Sequence, residues 1–324
     1  MHLPFVPHRL ARFASPLLGL ALMLITGGAA RAQDLEPRAY ATLPVGLQFA
    51  LAGYAHSAGA IATDPALPVE NAHIDVDAAF LAYVHSLDVL GHSGKVDVAI
   101  PYAWLSGSAT YQGEQIRRVV DGFGDPSVRF SVNLLGGPAL PAREFASYQE
   151  DFVLGVSTRL SVPLGQYDSE RLVNVGTHRW AVKPEIGLVK SWGRVQLELA
   201  SGVNVYSSNP DFFGGQHRDQ APIFAQQAHL LVRLVRGVFV AVDATYYGGG
   251  RTTVDHVEKD DALSSARLGG TLVVPLGPSY SVKVYGSTGV WTRFGSDFDT
   301  VGAALQYRWS DAPVSGEAPP DGDG

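Results

Sequence analysis

The chain contains no cysteine. Disulfides, thiol nucleophiles and cysteine-ligated metal sites are therefore excluded, and an exported chain must be stabilised by other means. Charge is sparse, at 17% of residues with a net value of −7, so there is no general basic field for nucleic acid. Long apolar runs are absent after about the first thirty residues, and mean hydropathy is only +0.07. A bundle of membrane helices does not fit those values. What the chain does have is 36 glycines, 10% aromatic residues and many short alternating segments. This usage suits strands and tight turns.

The first residues read as an export signal. "MHLPFVPHRLAR" supplies Arg9 and Arg12, and "FASPLLGLALMLI" supplies an apolar core of roughly the 7–15 residues expected. "TGGAARAQ" offers small residues at Ala30 and Ala32, so residues 1–32 are expected to be removed. A signal anchor is the competing reading, but the run is shorter than the roughly 20 residues needed to span. Loss of Arg9, Arg12 and Arg31 takes the net charge from −7 to −10.

From residue 33 to 309 the dominant signal has a period of two. "VGAALQYRW" places Val301, Ala303, Leu305, Tyr307 and Trp309 on one face, with Gln306 and Arg308 on the other. "VFVAVDATYY" sets Val238, Val240 and Val242 against Asp243 and Thr245. "RWAVKPEIGLV" sets Trp180, Val182, Ile186 and Leu188 against Arg179, Lys183 and Glu185. Near the start, "VGLQFALAGYAH" sets Leu47, Phe49 and Leu51 against Gln48, Tyr54 and His56. "HIDVDAAFLAYVHS" sets Val76, Phe80 and Val84 against Asp75, Asp77 and His85. About twelve such strands are expected.

Their connections alternate between short and long. "LDVLGHSG", "SWG" and "RG" are short, whereas "LSGSATYQGEQIRRVVDGFGD" (105–125) and "SSNPDFFGGQHRDQAP" (207–222) are long and polar. "LGGPALPAREFASYQED" is long where a short turn is due, and a helical turn is expected around Pro141 to Tyr148. Residues 310–324 form a Pro/Gly/acid-rich tail, expected to be disordered.

These features predict an all-β fold: a transmembrane antiparallel up-and-down β-barrel of about twelve strands, in the bacterial outer membrane. Lipid cannot hydrogen-bond to backbone, so a spanning sheet must close on itself. Aromatics at the ends of the apolar faces (Trp104, Trp180, Tyr246, Tyr307, Trp309) suit the headgroup level. An exported soluble β-sandwich is the rival fold.

With apolar faces outward, the expected lumen-lining set is Asp75, Asp77, Asp97, Arg129, Arg159, Lys183, Glu185, Glu198, His229, Arg233, Asp243, Arg267, Lys283 and Arg308. Two readings stay open: a salt-bridge lattice that fills the barrel, or a hydrated pathway between a basic and an acidic stripe. Enzyme signatures are weak. No H-x-x-x-H or H-x-H occurs among the ten histidines. "YYGGGRTT" lacks the lysine of a phosphate loop, "DGFGDP" lacks the acidic series of a metal loop, and no Ser–His pair carries a local motif. No catalytic residue, metal or cofactor is expected.

"DLEPRAYATLPVGLQFALAGY", "DGFGDPSVRFSVNLLG", "VPLGQYD", "NVGTHRWAVKPEIGLVKSWG", "DFFGG", "ATYYGGGRTTVD" and "FDTVGAALQYRW" together give a family resemblance over nearly all of the mature chain. It resembles the outer-membrane family labelled for the meta-pathway of phenol degradation, often called transporters. The resemblance implies a barrel passing small hydrophobic or aromatic compounds, with no catalytic residues to carry over. It implies outer-membrane lipid, the barrel-assembly machinery and a small-molecule solute as partners, and no nucleic acid. The aromatic final strand looks like an assembly signal, although here a tail follows it. A closed structural or surface-interaction barrel, acting through loops 105–124 and 207–222, is the alternative, and a lipid-acting barrel enzyme a more distant one.

Overall fold

The computed structural model describes residues 37–62, 69–111, 113–235 and 237–310. The expected signal (1–32) and the tail beyond Ser310 lie outside the described residues.

The strands in chain order are β1 (Leu47–Ala62), β2 (Val69–Val89), β3 (His92–Tyr111), β4 (Glu114–Phe123), β5 (Ser127–Leu135), β6 (Phe152–Ser161), β7 (Ala181–Trp192) and β8 (Val195–Tyr206). They continue with β9 (Asn209–Phe212), β10 (Gln216–Gln220), β11 (Ile223–Arg233), β12 (Phe239–Gly249), β13 (Thr252–Val254), β14 (Val257–Glu258), β15 (Leu263–Pro275) and β16 (Tyr280–Ser310). β4 and β5 both pair with β3 and form one stave, interrupted at residues 124–126. β16 folds back near residue 295, because its first part pairs with β15 and its second with β1. The barrel therefore has twelve antiparallel staves and closes through the β1–β16 and β2–β3 pairings. β9, β10, β13 and β14 make a separate small sheet in the long loops.

Closure satisfies the backbone that lipid would leave unpaired. The outer face then carries the apolar half of each stave: Ile186, Leu199, Leu230, Val242, Leu268 and Leu305 are all exposed. Trp104, Trp180, Trp192, Tyr246, Tyr280 and Tyr307 also point out, as headgroup-level aromatics do. Barrels of this kind carry their short turns on the periplasmic side.

Three expectations need correction. The stretch 105–124 is not a loop but a continuation of β3 into the β3–β4 hairpin. Both arms alternate there, with Leu105, Ala109 and Val120 buried and Val119 exposed. The connection 207–222 contains β9 and β10. Most consequential is the polarity of β1 and β2. Leu47, Phe49, Leu51, Val76, Phe80 and Val84 face inward, so Asp75, Asp77 and His85 face outward. Below Asp77 the outward set is Ala79, Leu81 and Tyr83, which is itself apolar. Both faces of these strands are apolar at bilayer height, and alternation alone does not choose between them. Above that height the sheet projects past the lipid. There its outer face meets water, and its inner face packs Ile74, Val76 and Phe298 against Val173 and Val175 of the β6–β7 loop. The expected helical turn is present as Ala142–Phe145.

Candidate functional site: the barrel lumen

The segment before β1 enters the barrel. Arg38 donates its backbone N–H to Glu198 (2.5 Å), and Thr42 donates its own to Glu150 (2.8 Å). The Tyr40 hydroxyl donates to Glu185 (2.9 Å) and is 3.0 Å from Ser157 Oγ. Asn133 donates to the Tyr40 carbonyl (3.1 Å) and Lys95 to that of Ala39. Residues 37–44 thus form a plug, held by side chains of β3, β5, β6, β7 and β8. Tyr40 is 3% exposed, and its ring lies in a slot floored by Gly155 and Gly187, which face each other across β6 and β7. A Cβ at Gly187 would lie 2.1 Å from the ring. Nothing in the sequence pattern marked this segment as a plug. The paired glycines, on strands that otherwise alternate cleanly, are the trace it left.

Around the plug the inward polar residues interlock. Asp97, Arg129, Arg159 and Lys183 sit opposite one another across β3, β5, β6 and β7. Arg129 pairs with Asp97 (2.9 Å) and Lys183 with Glu185 (2.7 Å). Glu198 stands opposite His229, and His229 opposite Asp243. His229 Nδ1 lies 2.6 Å from Asp243, which also accepts from Thr271 (2.8 Å). Such pairs are buried at a desolvation cost that only mutual satisfaction offsets. Arg267 donates to the Phe298 carbonyl (2.6 Å). Arg233 points inward at the short-turn rim and reaches the Gly193 carbonyl. Lys283 and Arg308 line the lower lumen, where Arg308 bonds the Pro278 carbonyl (2.6 Å).

The sequence-expected set is therefore brought together on the inner wall, with two exceptions. Asp75 and Asp77 lie outside: Asp77 accepts from Tyr54 and sits 2.9 Å from His56, and Asp75 sits 3.5 Å from His73. They form no acidic wall to a lumen.

Beside Tyr40 the free space is about 20 Å³. Below the plug a cavity of about 670 Å³ opens toward the short-turn rim. Its apolar lining falls in two arcs, Leu47, Phe49, Leu51 and Val84 on β1 and β2, and Phe239 and Val273 on β12 and β15. Charged residues separate the arcs: Lys283 and Arg308 on the two β16 staves lie between them, and Lys95, Asp97 and Arg129 lie beyond β2. The arc on β1 and β2 departs from the sequence reading, which places Leu47, Phe49, Leu51 and Val84 toward lipid.

His229 and Asp243 resemble part of a hydrolase relay, but the residue facing His229 on β8 is the carboxylate of Glu198, not a hydroxyl nucleophile. Among the described residues no cluster of three or more metal-ligating side chains occurs. The "DGFGDP" stretch is structural: Asp125 accepts from the Gly165 and Thr177 N–H groups (both 3.0 Å) and fastens the β6–β7 loop to the break between β4 and β5.

Comparison with known proteins fits this architecture. The family described as "Putative MetA-pathway of phenol degradation" matches residues 55–309. The chain belongs to that family. Among solved structures, an outer membrane channel from Pseudomonas putida F1 superposes with a TM-score of 0.71 at 18% identity, covering 85% of this chain and 100% of that one. The transport unit of the autotransporter AIDA-I from Escherichia coli gives 0.50 at 8% identity, over 90% of this chain and 98% of that one. At these identities the likeness is one of fold. No curated protein matches the sequence.

Proposed function

We propose that this family member is an outer-membrane channel for small, uncharged apolar or aromatic compounds. The observation that carries the reading is the 670 Å³ lumen cavity, whose wall includes an apolar arc on β1 and β2. An apolar cavity of about 150 Å³ already accommodates benzene. The family description names phenol degradation, and the Pseudomonas putida relative is described as a channel; both support the same direction. A transport role needs lipid and a small solute as partners, and it needs no catalysis. Residues 1–32 would direct export, and the aromatic end of β16 would serve the barrel-assembly machinery.

The test is uptake of radiolabelled toluene by cells that do or do not produce the protein, with ionic current recorded in planar bilayers. Faster toluene uptake supports the channel. Equal uptake with and without the protein overturns it. The tight space around Tyr40 favours a second reading, a closed barrel whose loops carry the function. Equal uptake combined with the loss of a surface phenotype on deleting residues 207–222 would support that reading.

A further inference from the structure

The plug makes its hydrogen bonds to one side of the barrel. Its hydrogen-bond partners lie on β3, β5, β6, β7 and β8, with Glu150 between β5 and β6 and Ser86 on β2 near the short-turn rim, and Arg38 lies over the Phe239 ring of β12. Opposite it, the inward positions of β2 from Ile74 to Val84 are all apolar, with Val76, Phe80 and Val84 the large ones. On β1, Leu47, Phe49 and Leu51 continue the same surface. These positions carry no charge and no side-chain hydrogen-bonding group, although at the lower end Arg308 stands opposite Phe49 and Asp97 opposite Val84. The strip they form joins the apolar cluster under the β6–β7 loop, at Ile74 and Val76, to the lower cavity, at Val84 and Leu51.

Phe80 stands between those two ends. Its ring lies over Gly53, where a Cβ would be 2.3 Å from the ring edge and 3.1 Å from Ala304. Gly53, Phe80 and Ala304 face each other across β2, β1 and β16. Only a glycine leaves room for the ring to recline against the wall, and the strip runs from the lower cavity at Val84 to Ile74 and Val76, which are buried under the β6–β7 loop.

We propose that the inner face of β1 and β2 is a track on which uncharged apolar solutes pass the plug, and that Phe80 is the throat that sets their size. The proposal rests on the channel reading above. Around Phe80, whose register partners are Gly53 and Pro101, a charged or strongly polar solute finds nothing to replace its hydration, whereas a ring can move along the strip while staying out of water.

The experiment photolabels the wild-type protein in liposomes with a diazirine-bearing benzene derivative and maps the labelled peptides. Toluene and naphthalene uptake is then compared in wild type, Val84→Asp and Phe80→Ala. We expect label within residues 47–62 and 69–89. Val84→Asp should cut toluene uptake at least tenfold, and Phe80→Ala should raise naphthalene uptake more than toluene uptake. Label confined to other staves overturns the track, whether or not the variants fold. Label on β1 and β2 without wild-type uptake would instead overturn the channel reading and leave the strip as a binding surface.

Discussion

Replacing Gly187 with alanine puts a methyl group where the Tyr40 ring lies. The new carbon would be 2.1 Å from the ring, and the ring is bounded on its other edge by Gly155, where a Cβ would be 2.5 Å away. Carbon atoms normally sit about 3.5–4.0 Å apart, so the ring must leave its slot or strain the wall. Strain from overpacking costs about 1–3 kcal/mol. Leaving forfeits aromatic burial and the hydrogen bonds to Ser157 and Glu185, a loss of roughly 3–5 kcal/mol by analogy with aromatic truncation. The protein takes the cheaper course, so the docked plug is destabilised by up to about 3 kcal/mol. At ~1.4 kcal/mol per decade, the undocked fraction should rise about 10–100-fold. The barrel itself should gain slightly, since alanine in a strand outperforms glycine by roughly 0.5–1 kcal/mol. Planar-bilayer recordings should show more frequent open events, and protease added from the short-turn side should cut the segment before β1 sooner. In a Tyr40→Ala background the same substitution should add nothing, because the ring it clashes with is gone. Wild-type current and protease protection in Gly187→Ala would refute the slot as the plug's anchor. An equal increase with and without the ring would refute the mechanism.

Other outcomes follow from the same geometry. Asp243→Ala leaves His229 and Thr271 without their acceptor; each orphaned group costs about 1–3 kcal/mol, so urea titration of the folded barrel should show a clearly lower midpoint. Cysteine placed at Asp77 should react with a membrane-impermeant maleimide from outside the cell, and cysteine placed at Ile74 should not; the reverse would restore Asp77 to the lumen. In the β10 loop strand, the Ser208 hydroxyl holds the Asp219 carboxyl below its ordinary range, with His217 assisting. Stability from a depressed carboxylate is present above its unfolded value and disappears as pH falls through the folded one. Ser208→Ala should therefore move the Asp219 carboxyl titration, followed by NMR, to higher pH, and an unchanged midpoint would refute the role of the hydroxyl.

The legibility of the sequence varied from strand to strand for physical reasons. β7, β11 and β12 could be read directly because one face is apolar and the other polar: Ile186 against Glu185, Leu230 against His229, Val242 against Asp243. β1 and β2 could not, because alanines and tyrosines on one face compete with valines and phenylalanines on the other. Period two gives the alternation but not its sign. The long hairpin inside 105–124 was hidden by its glycines, serines and charged residues. Those serve well on a sheet that projects into water, where Arg117 and Asp121 are exposed. The plug left no periodic signal, since its contacts are backbone hydrogen bonds and one ring in a glycine slot. The inner polar residues were identifiable as a set, but their pairing depended on register, which composition does not carry.

The change of polarity along β2 also works as a depth gauge. Leu81 and Tyr83 mark lipid on the outer face, and Asp77 and Asp75 mark water. From Asp77 to Val69 the strand runs on for about nine residues, or about 30 Å at roughly 3.3 Å each. At the usual tilt of about 45° that is on the order of 20 Å of height. β6 and β7, by contrast, have 10 and 12 residues, barely more than a crossing needs. The rim is therefore uneven, tall where β16, β1, β2, β3 and β4 run on past the lipid and low where β6 and β7 end. An antibody or phage tail reaching the cell would meet the outer side of that tall part, with His73, Asp75 and Arg117, before it met the mouth.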